Sequence, residues 1–144
     1  MNEIEIFYPD KDLIKYWIEL LRSKNYTLKT RLPITDEEWF SIVEETIERI
    51  KIQYIEGVHS KASHLFFYLN KNHNFIDGNK RTTIVVIYLF YLVNNYTIIS
   101  SGRLEELAKK LAKSHGSRNK DDWMKKIEKE LSYIAKPINK IVYN

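Results

Sequence analysis

Apolar residues recur along most of this chain at the i, i+3, i+4 spacing that is typical of amphipathic helices. After a short alternating start, Asp10 is the predicted N-cap of a first helix. Its apolar face is predicted to consist of Leu13, Tyr16, Trp17, Leu20 and Leu21. Thr35 and Glu38 have the spacing of a capping box and open a second predicted helix. Its apolar face is predicted to consist of Trp39, Ile42, Val43, Ile47 and Ile50.

The stretch from Lys51 to His59 has no helical period, and Gly57 indicates a turn, so we expect an irregular, extended flap there. A third helix is predicted from about Ser60 to Asn72. Its buried residues are predicted to be Ala62, Leu65, Phe66 and Leu69.

The segment from Thr82 to Asn95 is apolar on every side, which fits either a β-strand or a helix buried all round. Its length favours the helix. Two further helices are predicted in the tail, separated by a break at Gly116. Their apolar positions are Leu104, Leu107, Ala108 and Leu111 in the first, and Trp123, Ile127, Leu131 and Ile134 in the second. The expected fold class is therefore all-α, with about six helices and no pattern typical of a sheet.

The 144 residues are enough for one domain with a real core, so residues 1–144 are expected to form a single domain. The chain has no Cys, which excludes disulfides and cysteine-based catalysis. No signal-like start is present and the longest apolar run is far shorter than a membrane span, so we expect a cytoplasmic protein with no membrane contact. The net charge is +4, but the lysines are scattered, so direct nucleic-acid binding is not expected.

Reactive side chains are densest in the nine residues from His73 to Arg81, between the third helix and the apolar helix. The backbone N–H groups at the start of the apolar helix would form an anion site with Gly78, which allows close approach to the backbone. Lys80 and Arg81 can neutralise phosphate, and Asn79 can donate from its amide. Together these residues indicate a polyphosphate site.

Asp77 is the only carboxylate of this segment, and a carboxylate oxygen beside a polyphosphate is a typical ligand of Mg²⁺. His73 is partly neutral near pH 7 and can accept a proton from an attacking hydroxyl. The segment therefore holds the groups required for transfer from a Mg²⁺–nucleotide complex, which predicts ATP and Mg²⁺ as cofactors.

A structural interpretation of the same residues remains open. Asp77 and Gly78, followed by β-branched residues, also fit the turn of a β-hairpin. His59, His64 and His115 have no metal-binding spacing and are interpreted as structural or surface residues. The chain has neither a P-loop nor the protein-kinase motifs, which excludes those nucleotide-binding classes.

The segment His73–Arg81 resembles the signature of the Fic/Doc family, H-x-F-x-D-G-N-(G or K)-R, and matches it at every defined position. The resemblance implies the helical Fic/Doc fold, with His73 as the base, Asp77 as the magnesium ligand and residues 78–81 as the phosphate cradle. It also implies that residues 51–57 are a flap that aligns the target as an added strand. No self-inhibitory motif of the family is complete in this chain.

Two positions bear on the reaction type. Fic adenylyltransferases have Gly at the position of Lys80 and Arg at that of Ile84, whereas Doc toxins have Lys and no Arg. The resemblance therefore implies a Doc-like toxin of a toxin–antitoxin pair that transfers the γ-phosphoryl of ATP to a protein hydroxyl. Its implied partners are a target protein such as elongation factor Tu and a Phd-like antitoxin. Val85 departs from that branch, which has Asn there. The alternatives are protein AMPylation and a non-catalytic module that binds a nucleotide or a partner.

Overall fold

The computed structural model describes residues 5–24, 35–71, 79–112 and 120–141. These residues are mainly helical, which confirms the predicted all-α class with about six helices. The main helices are α1 (Lys11–Ser23), α2 (Asp36–Ile52), α3 (Val58–Lys71), α4 (Asn79–Val93), α5 (Ser101–Ala112) and α6 (Lys120–Ile134). The shorter elements are β1 (Tyr96–Ile98), β2 (Ala135–Pro137) and the one-turn helix α7 (Ile138–Ile141). The predicted break at Gly116 lies outside the described residues.

Both predicted N-caps are present. The Asp10 carboxylate accepts a hydrogen bond from the Leu13 amide at 2.8 Å, and the Thr35 hydroxyl accepts one from the Glu38 amide at 3.2 Å. A cap of this kind typically stabilises a helix by about 1 kcal/mol. The sequence therefore fixed where α1 and α2 begin.

Helix α3 lies at the centre of the molecule and contacts α2, α4, α5 and α6. All four residues that the sequence predicted to be buried on it are at most 3% exposed, namely Ala62, Leu65, Phe66 and Leu69. The predicted apolar positions of α5 and α6 are buried as well. Because α3 is enclosed, its two ends are held in place by the surrounding helices.

The buried face of α1 differs from the predicted one. Ile14 and Ile18 are buried, whereas Tyr16 is 60% exposed. Leu13, Trp17 and Leu21 pack against the edge of the core instead of within it. The apolar residues of α1 cover about half of its circumference, an arc wider than the part in contact with the core, so the neighbouring helices decide which of them are buried.

The apolar segment after residue 81 is a helix, as predicted, and a strand in this position is excluded. It is not buried all round, because Tyr88 and Leu92 are exposed while Val86 and Phe90 are fully buried. The turn after α4 contains Asn95 with φ of 65°, a left-handed conformation that Asn tolerates. This turn directs the chain into β1.

No pattern in the sequence indicated a sheet, yet β1 and β2 form a two-stranded antiparallel sheet. Thr97 pairs with Lys136 at its centre. The pairing continues on both sides, since the Ile99 amide donates to the Ile134 carbonyl at 2.8 Å and the Ile138 amide donates to the Asn95 carbonyl at 2.9 Å. The sheet joins the C-terminal ends of α4 and α6.

None of the helices in the described ranges is both long and apolar enough to span a bilayer.

Candidate functional site

The predicted reactive segment connects the end of α3 with the start of α4. Its residues 73–78, which include His73, Asp77 and Gly78, lie outside the described residues. The backbone of Asn79, Lys80 and Arg81 is described and forms the first turn of α4, while their side chains are not. The common pocket expected for these side chains therefore stays a prediction.

The start of α4 has the electrostatic character predicted for an anion site. The first four N–H groups of a helix have no partner within the helix and carry the positive end of its dipole. No acidic residue occupies the first turn of α4. By contrast, the first turn of α2 contains Asp36, Glu37 and Glu38, whose carboxylates offset that positive end. Within the first turn of α4 itself, no carboxylate offsets this positive end.

The helix turns that flank the reactive segment are anchored in the core. Leu69 and Asn70 at the end of α3 are 3% and 1% exposed, and Thr82 and Thr83 at the start of α4 are 0% and 1% exposed. The Asn70 amide donates to the Phe66 carbonyl one turn earlier, at 3.0 Å. Buried residues thus anchor the last turn of α3 and the first turn of α4, between which the segment runs in sequence.

Helices α3 and α4 lie antiparallel, so their other ends also meet. His59 at the start of α3 contacts Tyr91 near the end of α4 through a hydrogen bond of 2.9 Å. The 14 residues of α3 span about 20 Å. The end of the helix pair that contains His59 is therefore remote from the end that continues into residue 73.

The irregular flap expected from Lys51 to His59 is shorter than predicted, because α2 ends at Ile52 and α3 begins at Val58. Residues 53–57 are irregular and extended, as predicted, and Gly57 has φ of 89°, a conformation that favours Gly. The role expected for this flap in aligning a target strand depends on residues outside the described ranges and stays a prediction.

Among the described histidines, His59 and His64 have the structural roles predicted for them. His64 contacts the Ser60 carbonyl at 2.8 Å, on its own helix. His59 is half-buried between Tyr91 and Tyr96, and this burial lowers its pKa below the usual value. His115 lies outside the described residues. Within the described residues, which do not include the predicted ligand Asp77, no group of three or more His, Asp or Glu side chains forms a metal site.

Sequence reasoning missed a cavity at the His59 end of the helix pair. It is lined by parts of three segments, residues 5–7, 53–58 and 94–96. These segments are far apart in sequence and share no periodic pattern. The only signal in the sequence was the irregular stretch that ends at Gly57.

Comparison with known protein families matches residues 9–91 to the model of the Fic/DOC family. The matched region covers more than half of the 144 residues and includes the whole segment His73–Arg81. A search of curated proteins finds no match. The helical fold and the helix that begins at Asn79 agree with this match. The chain therefore belongs to the Fic/DOC family.

Proposed function

We propose that this protein is a Doc-like protein kinase, the toxin of a toxin–antitoxin pair, which transfers the γ-phosphoryl of ATP to a hydroxyl of a target protein. Fic/DOC proteins generally transfer nucleotidyl or phosphoryl groups to proteins, so family membership indicates this class of enzyme. The observation that carries the narrower proposal is the complete signature at His73–Arg81 with Lys80 in place of Gly.

The described part of the site fits a bound polyphosphate. The first turn of α4 presents backbone amides, contains Lys80 and Arg81, and has no acidic residue to repel phosphate. Asp77 lies two residues before this turn in sequence and is the residue that would hold Mg²⁺. A bound Mg²⁺ would neutralise part of the charge that develops on the phosphate oxygens.

The reaction then requires few groups from the protein. The neutral imidazole of His73 takes the proton of the target hydroxyl, whose oxygen forms a bond to the γ-phosphorus. The bond from that phosphorus to the bridging oxygen breaks, and ADP leaves with the electron pair. Gly78, Asn79, Lys80 and Arg81 hold the phosphates in position during this step.

Position 84 of α4 favours phosphorylation over AMPylation, whereas Val85 departs from the Doc branch, which has Asn there. Fic adenylyltransferases resemble this chain but have an Arg where it has Ile84. Here Ile84 is uncharged and packs against the core, as does Val85. Neither side chain offers a second guanidinium to a nucleotide. This chain lacks that group and has Lys80 in place of the smaller Gly. Both differences disfavour the nucleotide orientation that presents the α-phosphorus to the target hydroxyl.

The test is label transfer from ATP that carries the label at either the α or the γ phosphorus. We expect a target protein incubated with the enzyme and Mg²⁺ to retain label from the γ position only. The His73→Ala variant should transfer neither label while its circular dichroism stays unchanged. Label retained only from the α position would make the protein an AMP transferase.

The proposed partners follow from the same resemblance. Elongation factor Tu is the first target to test in the labelling reaction. A Phd-like antitoxin would bind this chain and suppress its effect, so growth inhibition on expression should be relieved by co-expression of the neighbouring small gene. A His73→Ala variant that still inhibits growth would instead favour a non-catalytic binding module.

A further inference from the structure

The small sheet has two outer edges, and its hydrogen-bond pattern decides which backbone groups point toward them. The ladder is bonded at Ile99 on one side and at Asn95 on the other. Bonded and non-bonded pairs alternate in an antiparallel ladder, so Thr97 at the centre bonds to β2, whereas its neighbours Tyr96 and Ile98 do not. The backbone N–H and C=O groups of Tyr96 and Ile98 therefore point away from β2, toward the outer edge of β1.

The outer edge of β1 offers both donors and acceptors. In the part of the chain that the structure describes, neither Tyr96 nor Ile98 makes a backbone hydrogen bond outside the sheet. The side chains of both residues pack against the core, which holds the strand in its extended form. An extended strand whose outer backbone groups are unpaired is a template for another strand.

The outer edge of β2 is blocked instead. Pro137 lies opposite Tyr96, so it occupies a non-bonded position at which an N–H would point outward. Proline has no N–H, and the adjacent Lys136 places a charge on the same strand. Proline and lysine are two of the residues with which proteins protect an edge from pairing. Since β1 contains neither, it is the edge of this sheet that can accept an added strand.

The surface around β1 carries no charge. Residues 82–102 contain no acidic or basic side chain, although the whole chain has a net charge of +4. Exposed apolar residues lie beside the strand: Ile99 is 57% exposed, and Tyr88, whose hydroxyl lies 3.4 Å from that of Thr97, is 40% exposed. Two copies of a positively charged protein repel each other least where neither surface is charged. The uncharged strand therefore favours a second copy of this chain as its partner over a strongly charged protein.

We propose that β1 is the contact surface of a symmetric homodimer, in which the strands Tyr96–Ile98 of two copies pair antiparallel. The result is a four-stranded sheet, two strands from each copy. A sheet of three or more strands is more stable than an isolated two-stranded one. This strand lies beyond residue 91, where the match to the family ends, and the proposed transfer reaction makes no use of it.

The register of the pairing follows from the outward backbone groups. Tyr96 of one copy lies opposite the partner's Ile98, so that the amide and the carbonyl of each are bonded. The two-fold axis passes between the two copies of Thr97, whose side chains form a favourable cross-strand pair. Pro137 lies at both outer edges of the enlarged sheet. The assembly therefore closes as a dimer and does not grow into a fibre.

The first test is the molar mass of the purified full chain, measured by sedimentation velocity as a function of concentration. We expect the mass to rise from 17.3 kDa toward twice that value as the concentration increases. Thr97→Glu should weaken the dimer by about fivefold, because two carboxylates would then lie opposite each other at the axis. The fold of each copy is retained, since the new carboxylate lies across from Lys136 of its own chain. Ser41→Glu, the same charge change on the exposed face of α2, should leave the dimer unchanged.

A mixture of two variants separates loss of the contact from loss of folding. Equal amounts of Thr97→Glu and Thr97→Lys should together regain the dimer, because opposite charges then meet at the axis. A mixture that stays monomeric would overturn the proposal. So would a wild type that is monomeric at every concentration, or a dimer that Thr97→Glu does not weaken.

Hydrogen exchange of the backbone amides locates the contact. We expect the Thr97 amide to be protected at every concentration, because it donates within the ladder of its own chain. The Tyr96 and Ile98 amides should gain protection only at concentrations at which the dimer forms. Protection of these two amides in the monomer would mean that another part of the same chain covers the edge, and it would overturn the proposal.

Discussion

The Nδ1 atom of His59 lies 2.9 Å from the hydroxyl oxygen of Tyr91, a contact that joins the first turn of α3 to the last turn of α4. The ring of Tyr96 in β1 packs against both, with its centroid 5.6 Å from that of His59 and 5.8 Å from that of Tyr91. This cluster fixes the end of the helix pair that lies away from residue 73. Since α3 and α4 also flank the reactive segment, their alignment matters for both ends.

Replacement of Tyr91 by Phe should destabilise the protein by about 1 to 3 kcal/mol, because it leaves a half-buried His59 nitrogen without this partner. The Tyr91 side chain is fully buried. Urea unfolding followed by circular dichroism measures the change. Tyr88→Phe is the matched control: its hydroxyl lies 3.4 Å from that of Thr97 on the surface, and we expect a change within about 0.5 kcal/mol. Equal effects of the two changes would contradict the role assigned to the contact.

Stability should fall as the pH drops below about 6.5, with His59 as one cause. Burial lowers the pKa of His59, while Glu128 raises it to a lesser degree and Lys136 lowers it further. The unfolded chain therefore takes up the proton at a higher pH than the folded protein does. From the unfolded pKa down to the folded pKa the unfolded state binds more protons, so the free energy of unfolding decreases in that window.

Urea unfolding of the wild type and of His59→Gln across about pH 7.5 to 5.5 isolates this contribution. Other groups titrate in both proteins, so only the difference between them reports on His59. As the pH falls, we expect the free energy of unfolding of the wild type to decrease relative to that of the variant. A difference that does not change with pH would exclude His59 as the source.

The ammonium of Lys61 satisfies two carbonyls at the end of α2, those of Ile50 and Gln53, and its side chain is only 6% exposed. Lys61→Met keeps the aliphatic bulk and removes the donor, so we expect a loss of about 1 to 3 kcal/mol, again measured in urea. Lys51→Met is the control, since the Lys51 ammonium pairs with Glu48 at the surface. If Lys61→Met destabilised the protein no more than Lys51→Met does, the buried donor would not be needed to hold residues 53–57.

Replacement of Lys80 by Gly should shift the reaction toward AMP transfer if the proposed function is right. The smaller residue would admit the nucleotide orientation that presents the α-phosphorus. We expect the ratio of α-label to γ-label on the target to rise by about tenfold, which corresponds to about 1.4 kcal/mol in the difference between the two barriers. His73→Ala combined with Lys80→Gly should abolish both labels. An unchanged ratio would mean that Lys80 does not select the reaction.

Features that depend on neighbouring residues in the sequence were predictable. Asp10 and Thr35 act as N-caps through groups only three residues away, and the buried faces of α3, α5 and α6 follow from their own periodicity. The signature at His73–Arg81 was readable for the same reason, since nine consecutive residues carry it. Local patterns in the sequence were therefore enough to predict the six main helices and the resemblance to the family.

Features that depend on contacts between residues distant in sequence were visible only in the folded protein. The covered side of α1, with Ile14 and not Tyr16 inward, is set by the helices packed against it. The sheet pairs Thr97 with Lys136, and strands of three residues are too short to show a period. The cavity likewise depends on the antiparallel packing of α3 on α4, because that packing brings residues 53–58 and 94–96, which are far apart in sequence, to the same end of the helix pair.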